Sequence, residues 1–281
     1  MKEFYCMRII TDSTCDITLD VTEKMGVSVA PLKVNFGMTE YVDKYQLSSS
    51  EFYKLLEASP AIPTTTLVSA GEFEEEFAKY EEDIVGIFIS SQISGTFQAA
   101  QIAKDALGRD NIYLVDSGSA ALGLGLLVYK AVELRDKGMC AKEIYDALNE
   151  IKESLVIYGI VDTLEYLVKG GRLSKTQGFI GGMLSIKPLI SVVRGTISSV
   201  GKARGIPKSV ATLVSNVENE FGINTKERMA FAYSKNPALL ETIKKPFENY
   251  ENYSTHVSSE LGSVIGTHAG PNAMAIAFFR K

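Results

Sequence analysis

The sequence is poor in the residues that carry thiol and metal chemistry. Only three cysteines occur in 281 residues, Cys6, Cys15 and Cys140, with no C-x-x-C pair and an odd count. That argues against a disulfide framework and a structural zinc site, and it fits a reducing cytosol. Two histidines, His256 and His268, leave no way to write an H-E-x-x-H helix, so no metal is expected. A cationic surplus is missing too: 29 Lys and Arg face 34 Asp and Glu, a net charge of −5. Nucleic-acid binding depends on a broad basic field, and no nucleic-acid partner is expected. No run approaches the ~20 apolar residues of a membrane span. The first twelve residues lack the apolar stretch of a signal peptide. A soluble, cytoplasmic protein is expected, and the sequon Asn252-Tyr253-Ser254 is then a chance match.

What is present points to an α/β protein. The length suggests about two domains, and a chain this long buries about three quarters of its unfolded surface without staples. Arg8 to Thr11 reads as a short buried strand, and Val27 to Val34 as a second. Ser48-Ser-Ser-Glu51 and Ser69-Ala-Gly-Glu72 are capping boxes, each ahead of apolar residues at helical spacing. Between them two prolines hold Pro60 to Thr66 extended. Ile84 to Ile89 is the continuous apolar run of a central parallel strand. A helix carrying Phe97, Ala100, Ala103 and Leu107 follows, then a strand at Ile112 to Val115 and helices from Ala120 and Ala141. Strand, crossover helix, strand, repeated, implies a mostly parallel sheet covered by helices.

The second part loses that rhythm. Gly195 looks like a hairpin turn between Ile190–Val193 and Thr196–Val200. Helices are expected from Pro207 and from Pro237, and short strands at Met229–Tyr233, Val264–His268 and Ala273–Phe279. The expectation is a C-terminal α+β domain with a mostly antiparallel sheet. The boundary falls near 156, giving domains 1–156 and 157–281.

Several short segments could carry chemistry. Ser94-Gly95-Thr96 sits where a parallel strand's carboxyl end turns into a helix, the usual ligand position in open α/β sheets. Its hydroxyls and free helix N–H groups suit a carboxylate or phosphate, unless Ser94 only caps the helix. Thr64-Thr65-Thr66 offers three hydroxyls on an extended segment. Asp12-Ser13-Thr14 is either a helix cap or a ligand contact. Gly170-Gly171-Arg172-Leu173-Ser174 combines backbone freedom with a guanidinium suited to an anion. Gly195-x5-Gly201-Lys202-Ala203 is not a P-loop: it has five intervening residues and Ala where Ser or Thr must meet magnesium. Gly123-Leu-Gly125 lacks the third glycine of a dinucleotide fingerprint and reads as helix packing. His268 lies between glycines in Gly266-Thr-His-Ala-Gly-Pro271, with no G-x-S-x-G elbow to support a hydrolase triad.

Taken in order, these segments resemble the DegV family of bacterial fatty-acid-binding proteins. The matches are Thr11-Asp-Ser-Thr14, Pro63-Thr-Thr65, Ser90-Ser91 through Ser94-Gly95-Thr96, Asp116-Ser117, Lys169-Gly-Gly-Arg-Leu-Ser174, Ile186-Lys-Pro188, Lys202-Ala-Arg204 and Gly266-Thr-His268-x-Gly-Pro271. The resemblance implies one long-chain fatty acid buried between the two domains, with no cofactor. Its carboxylate would be held by Thr65 (or Thr64) and Ser94, with His268 close by. Arg204, together with His268, is implicated in work with a partner, an ATP-dependent kinase subunit that makes an acyl-phosphate for phospholipid synthesis. Arg172 is the other candidate support for phosphoryl transfer. Leu67, Val68 and Asn272 depart from the family pattern, the first pair in the polar shell of the site. Phe179 to Leu184 is a plausible cavity wall. The competing expectation is a free-standing phosphotransferase acting on a small acid through His268 and Arg172. No nucleotide-binding motif accompanies it, which favours a carrier over an enzyme.

Overall fold

The computed structural model describes residues 7–174, 185–250 and 255–281. The wall suggested at Phe179 to Leu184 and the sequon at Asn252 lie outside the described residues. The first half runs β1 (Met7–Asp12), α1 (Leu19–Lys24), β2 (Val27–Ala30), β3 (Lys33–Phe36), β4 (Thr39–Val42), α2 (Ser49–Ala58), β5 (Thr64–Thr66) and α3 (Ala70–Phe77). It continues with β6 (Asp83–Phe88), α4 (Thr96–Leu107), β7 (Ile112–Asp116), α5 (Ala121–Asp136) and α6 (Ala141–Ile151). The second half comprises β8 (Leu155–Ile160), α7 (Glu165–Lys169), β9 (Ile186–Val193), β10 (Thr196–Arg204), α8 (Ile206–Asn216) and β11 (Ala230–Tyr233). It ends with α9 (Ala238–Lys244), β12 (Val257–Glu260), α10 (Ser263–Ala269) and β13 (Met274–Phe279).

Strands β2-β1-β6-β7 form a parallel sheet with β6 inside it, and β4-β3-β5 form a small antiparallel one. The third sheet, β10-β9-β8-β13-β11-β12, is antiparallel except at the β11–β12 edge. Alternation along β8 explains how the layers stack. Leu155 and Ile157 face a core shared with the parallel sheet, while Val156, Tyr158 and Ile160 face a separate core under α8 and α9. Helix α5 is wedged into the shared core and is buried around most of its circumference. Gly123 and Gly125 make that possible: a Cβ on Gly123 would sit 2.2 Å from Ser119 Oγ, and one on Gly125 would sit 2.7 Å from the Cys15 carbonyl. Among the described residues no helix is long and apolar enough to cross a membrane.

Both capping boxes form as the sequence suggests, with Ser48 and Ser69 each paired to the Glu three residues on. The Arg194–Gly195 turn has φ of 49° and 76°, the left-handed pair that a two-residue hairpin with the native twist requires. Two expectations fail. Val27 to Val34 is not one strand: Pro31 has no N–H for a ladder, and the chain leaves the parallel sheet there to start β3 in another. Val264 to His268 is not a strand but α10. Its β-branched residues suggest extended chain, yet long-range packing overrides that preference. A Cβ on Gly266 would approach Phe52 to 2.6 Å and Tyr53 Oη to 2.7 Å, so the helix can lie against α2 only because this residue has none. Strand β12 carries no signal that the sequence reading detected.

Asp12 turns out to be structural. Its fully buried carboxylate accepts from the N–H of Thr14 (2.9 Å), the hydroxyl of Thr14 (2.5 Å) and the N–H of Ile89 (2.7 Å). It thereby caps the short turn after β1 and ties that turn to the end of β6. Burial raises its pKa, and these three donors oppose the rise. Removing the carboxylate would leave two buried N–H groups unpaired. Asp12→Ala is expected to lower stability by about 3 kcal/mol, seen as a lower urea midpoint at unchanged slope. An unmoved midpoint would show that water replaces the carboxylate at no cost.

Candidate functional site

Where the six-stranded sheet and the parallel sheet face each other, they leave a cavity that opens to solvent. Its walls come from the start of α5, from β8 to β10, from Leu261 to Ala269 and from Ala273 to Ala275. Gly159 on β8 and its cross-strand partner Ala275 on β13 keep one wall low, because neither carries a long side chain. Of the 24 described residues around the cavity, only Thr65, Ser94, Arg172 and His268 have polar side chains, apart from the Met274 thioether. Such a site suits a mostly apolar molecule with one polar group.

Two of those four side chains are bonded to each other, and the Arg172 charge acts on one of them, His268. His268 Nε2 lies 3.1 Å from Thr65 Oγ1, joining α10 to β5 across 203 residues of sequence. Period-two alternation along β5 turns Thr65 toward the cavity and leaves Thr64 and Thr66 exposed. Thr64 therefore does not line the cavity, unlike Thr65, with which it shares the expectation of a head-group ligand. Ser94 Oγ accepts from the Thr96 N–H at 3.3 Å just ahead of α4, whose N-cap is Gly95, and Ser94 also lines the cavity. Arg172 donates from Nε to the Ile93 carbonyl (3.1 Å) and from Nη1 to the Gly170 carbonyl (2.6 Å). Arg204, at the end of β10, is exposed and stands outside the cavity.

The electrostatics of the cluster are lopsided. Burial pushes the His268 imidazole down to about 4, helped by the neighbouring Arg172 charge, so it is neutral at pH 7. Its Nδ1 is buried without a hydrogen-bond partner. Arg172 is half-buried, and desolvation lowers its pKa. Among the described residues no carboxylate forms an ion pair with it. A cation held by backbone carbonyls at an apolar cavity, with hydroxyls beside it, is arranged to receive an anion. Among the described residues no group of His, Cys, Asp and Glu is placed to hold a metal.

A family model described as "Uncharacterised protein, DegV family" matches residues 7–281. The chain belongs to the DegV family. A DegV domain-containing protein of Caldanaerobacter subterraneus is 34% identical over 97% of this chain and 98% of its own length. Among solved structures, a DegV family protein from Thermus thermophilus, described by its fatty acid binding, superposes with a TM-score of 0.87 at 28% identity, covering 98% of this chain and 99% of that one. DegV from Bacillus subtilis, described as a fatty acid binding protein, gives 0.82 at 30% identity, with the same coverage of 98% and 99%.

Two departures of this DegV chain from the family pattern have local explanations. Val68 is buried in the core beside α2 and α3, while Leu67 packs over Gly95, whose Cβ would meet it at 2.9 Å. Asn272 has φ of 59°, a left-handed conformation that Asn tolerates nearly as Gly does. The apolar walls at Ile157, Gly159 and Ile190 carry no signal in the sequence. They look like ordinary strand residues until the sheets are placed face to face.

Gly170 is required by contact and not by backbone strain, since its φ is −72°. A Cβ there would fall 2.2 Å from His268 Nδ1. Gly170→Ala is expected to push the imidazole off Thr65 at a cost of about 1–3 kcal/mol. Imidazole NMR resonances report it: His268 should shift while His256 stays. Two unmoved signals would mean that the α7 turn yields instead.

Proposed function

We propose that this protein binds one long-chain fatty acid in the cavity and presents its carboxylate to a separate ATP-dependent kinase, which converts it to an acyl-phosphate for phospholipid synthesis in the cytoplasm. The carboxylate lies among Thr65, Ser94, Arg172 and His268, and the acyl chain runs along β8 to β10 and the start of α5. The two halves that enclose it divide near 156, beside the start of β8. The observation that carries this reading is the apolar cavity into which Thr65, Ser94, His268 and a guanidinium without a carboxylate partner among the described residues all face. Burying ~15 methylenes at about 0.8 kcal/mol each contributes roughly 12 kcal/mol before the cost of association. The chain supplies most of the affinity, and the cluster supplies orientation. The fatty-acid-binding descriptions of the Thermus and Bacillus relatives support the ligand class.

The competing reading, a phosphotransferase acting on a small acid through His268 and Arg172, leaves most of the apolar volume unfilled. It also needs a nucleotide site that no sequence motif provides. ATP turnover separates the two: the protein alone should show none, and measurable turnover would favour the enzyme.

Ser94→Ala combined with Thr65→Ala is expected to weaken binding of a fluorescent fatty acid without unfolding the protein. Each lost hydroxyl should cost about 1.5–3 kcal/mol, the range for hydrogen bonds to a charged group. Unchanged affinity in the folded double variant would place the carboxylate elsewhere.

His268→Ala and Arg204→Ala are expected to impair acyl-phosphate formation by the kinase more than they impair lipid binding. Apolar burial survives both changes, whereas the transferring phosphoryl group develops charge that these groups stabilise or position. Exposure of Arg204 suits contact with the kinase. Loss of lipid and activity in equal proportion would reduce His268 to pocket-building, and full activity in Arg204→Ala would remove Arg204 from the kinase contact.

A further inference from the structure

Helix α10 contributes Val264, Ile265, His268 and Ala269 to the cavity wall, yet its first residues are held from far away in sequence. The Gly262 N–H donates to Asp16 Oδ1 at 2.9 Å, and the Ser263 hydroxyl donates to Asp43 Oδ1 at 2.5 Å. Tyr53 Oη donates to the Leu261 carbonyl at 3.0 Å. Asp16, Asp43 and Ser263 are all buried, and both carboxylates keep a second buried oxygen without a partner. The residues that aim these acids have unusual backbones: Asp16 and Lys44 are both left-handed, with φ of 53° and 65°. A Cβ on Gly262 would lie 3.0 Å from Asp16 Oδ1, close enough that the carboxylate would have to give way slightly. Lys44 Nζ enters the same cluster and donates to the Ile17 carbonyl at 2.7 Å.

Burying two carboxylates is unfavourable unless a charge and good donors accompany them. Burial pushes Asp16 up to about 7 and raises Asp43, while the Lys44 charge opposes both shifts. Burial would lower Lys44 itself, but Cys15, Asp16 and Asp43 around it raise it instead. Stability alone would be served as well by apolar residues. Directional bonds to two successive residues of a helix start do something that apolar packing cannot: they fix where the helix begins and how it is turned.

We propose that Asp16 and Asp43 are positioning residues for the cavity, holding Gly262 and Ser263 so that α10 sets His268 against Thr65. Neither touches the ligand. The inference rests on the fatty-acid reading only for its consequence, faster release of the bound acid when the clamp is cut. Its direct test needs no ligand.

The two histidines of the chain make NMR of the delipidated protein a clean readout. In the wild type His268 should titrate at about 4. In Asp43→Ala, His268 is expected to rise by about one unit toward the ordinary 6.5 as α10 turns and the ring meets water. Asp16→Ala should act in the same direction. Asp43→Asn keeps a carbonyl acceptor for Ser263 and should restore most of the wild-type value. His256, under β11, should not move. If Asp43→Ala does not fold, Ser263→Ala removes the same bond from the other side and should give the same rise. Unmoved His268 in the folded variants would overturn the proposal, and so would an equal movement of His256, the mark of general loosening. A wild type that binds no fatty acid would refute the functional reading and leave this result standing.

Discussion

One short helix links the buried charges of the first half of the chain to the cavity. At its start, α10 is tied to Asp16 and Asp43. Four residues on, Gly266 lets it lie against Phe52 and Tyr53. Near its end it delivers an imidazole to Thr65 of β5, 203 residues earlier in the sequence. The helix spans only Ser263–Ala269, too short to persist by its own propensity. Its shape is therefore imposed by tertiary contacts, and the cavity's polar end inherits that dependence.

This explains which parts of the molecule the sequence discloses. Elements with a strong local signal are legible: the capping boxes at Ser48 and Ser69, the apolar run of β6, and the two-residue turn at Arg194–Gly195. Elements made by distant partners are not. Val264 to His268 has the β-branched content of a strand and becomes a helix because distant partners fix it: carboxylates more than 200 residues earlier hold Gly262 and Ser263, and α2 packs against Gly266. Ala30-Pro31-Leu32 looks continuous, but the proline divides two strands between two sheets. At the site, Thr65, Ser94, Arg172 and His268 come together as their motifs suggest, while Thr64 and Arg204 stay outside the cavity. One-residue alternation on β5 decides the first of these exclusions, and no motif encodes it. The Asp16–Asp43–Lys44 cluster was invisible for the same reason: isolated acids in a sequence look solvated.

The cavity divides its work between two kinds of force. Side chains such as Ile157, Val192 and Ile190 offer area, which is strong in sum and indifferent to orientation. The four polar groups offer few bonds, but in a desolvated setting where each is strengthened. The neutral imidazole and a guanidinium with no carboxylate partner among the described residues leave room for one negative charge and discourage a second cation. A long acid satisfies both parts at once. A small acid satisfies only the second.

Native mass spectrometry of the purified protein tests the central claim most directly. The account predicts a bound species at one copy per chain, released on denaturation, with the mass of an alkyl or alkenyl acid of roughly C14 to C20, about what a cavity of this class encloses. Protein that carries no such acid and fails to take one up when it is supplied would contradict the account.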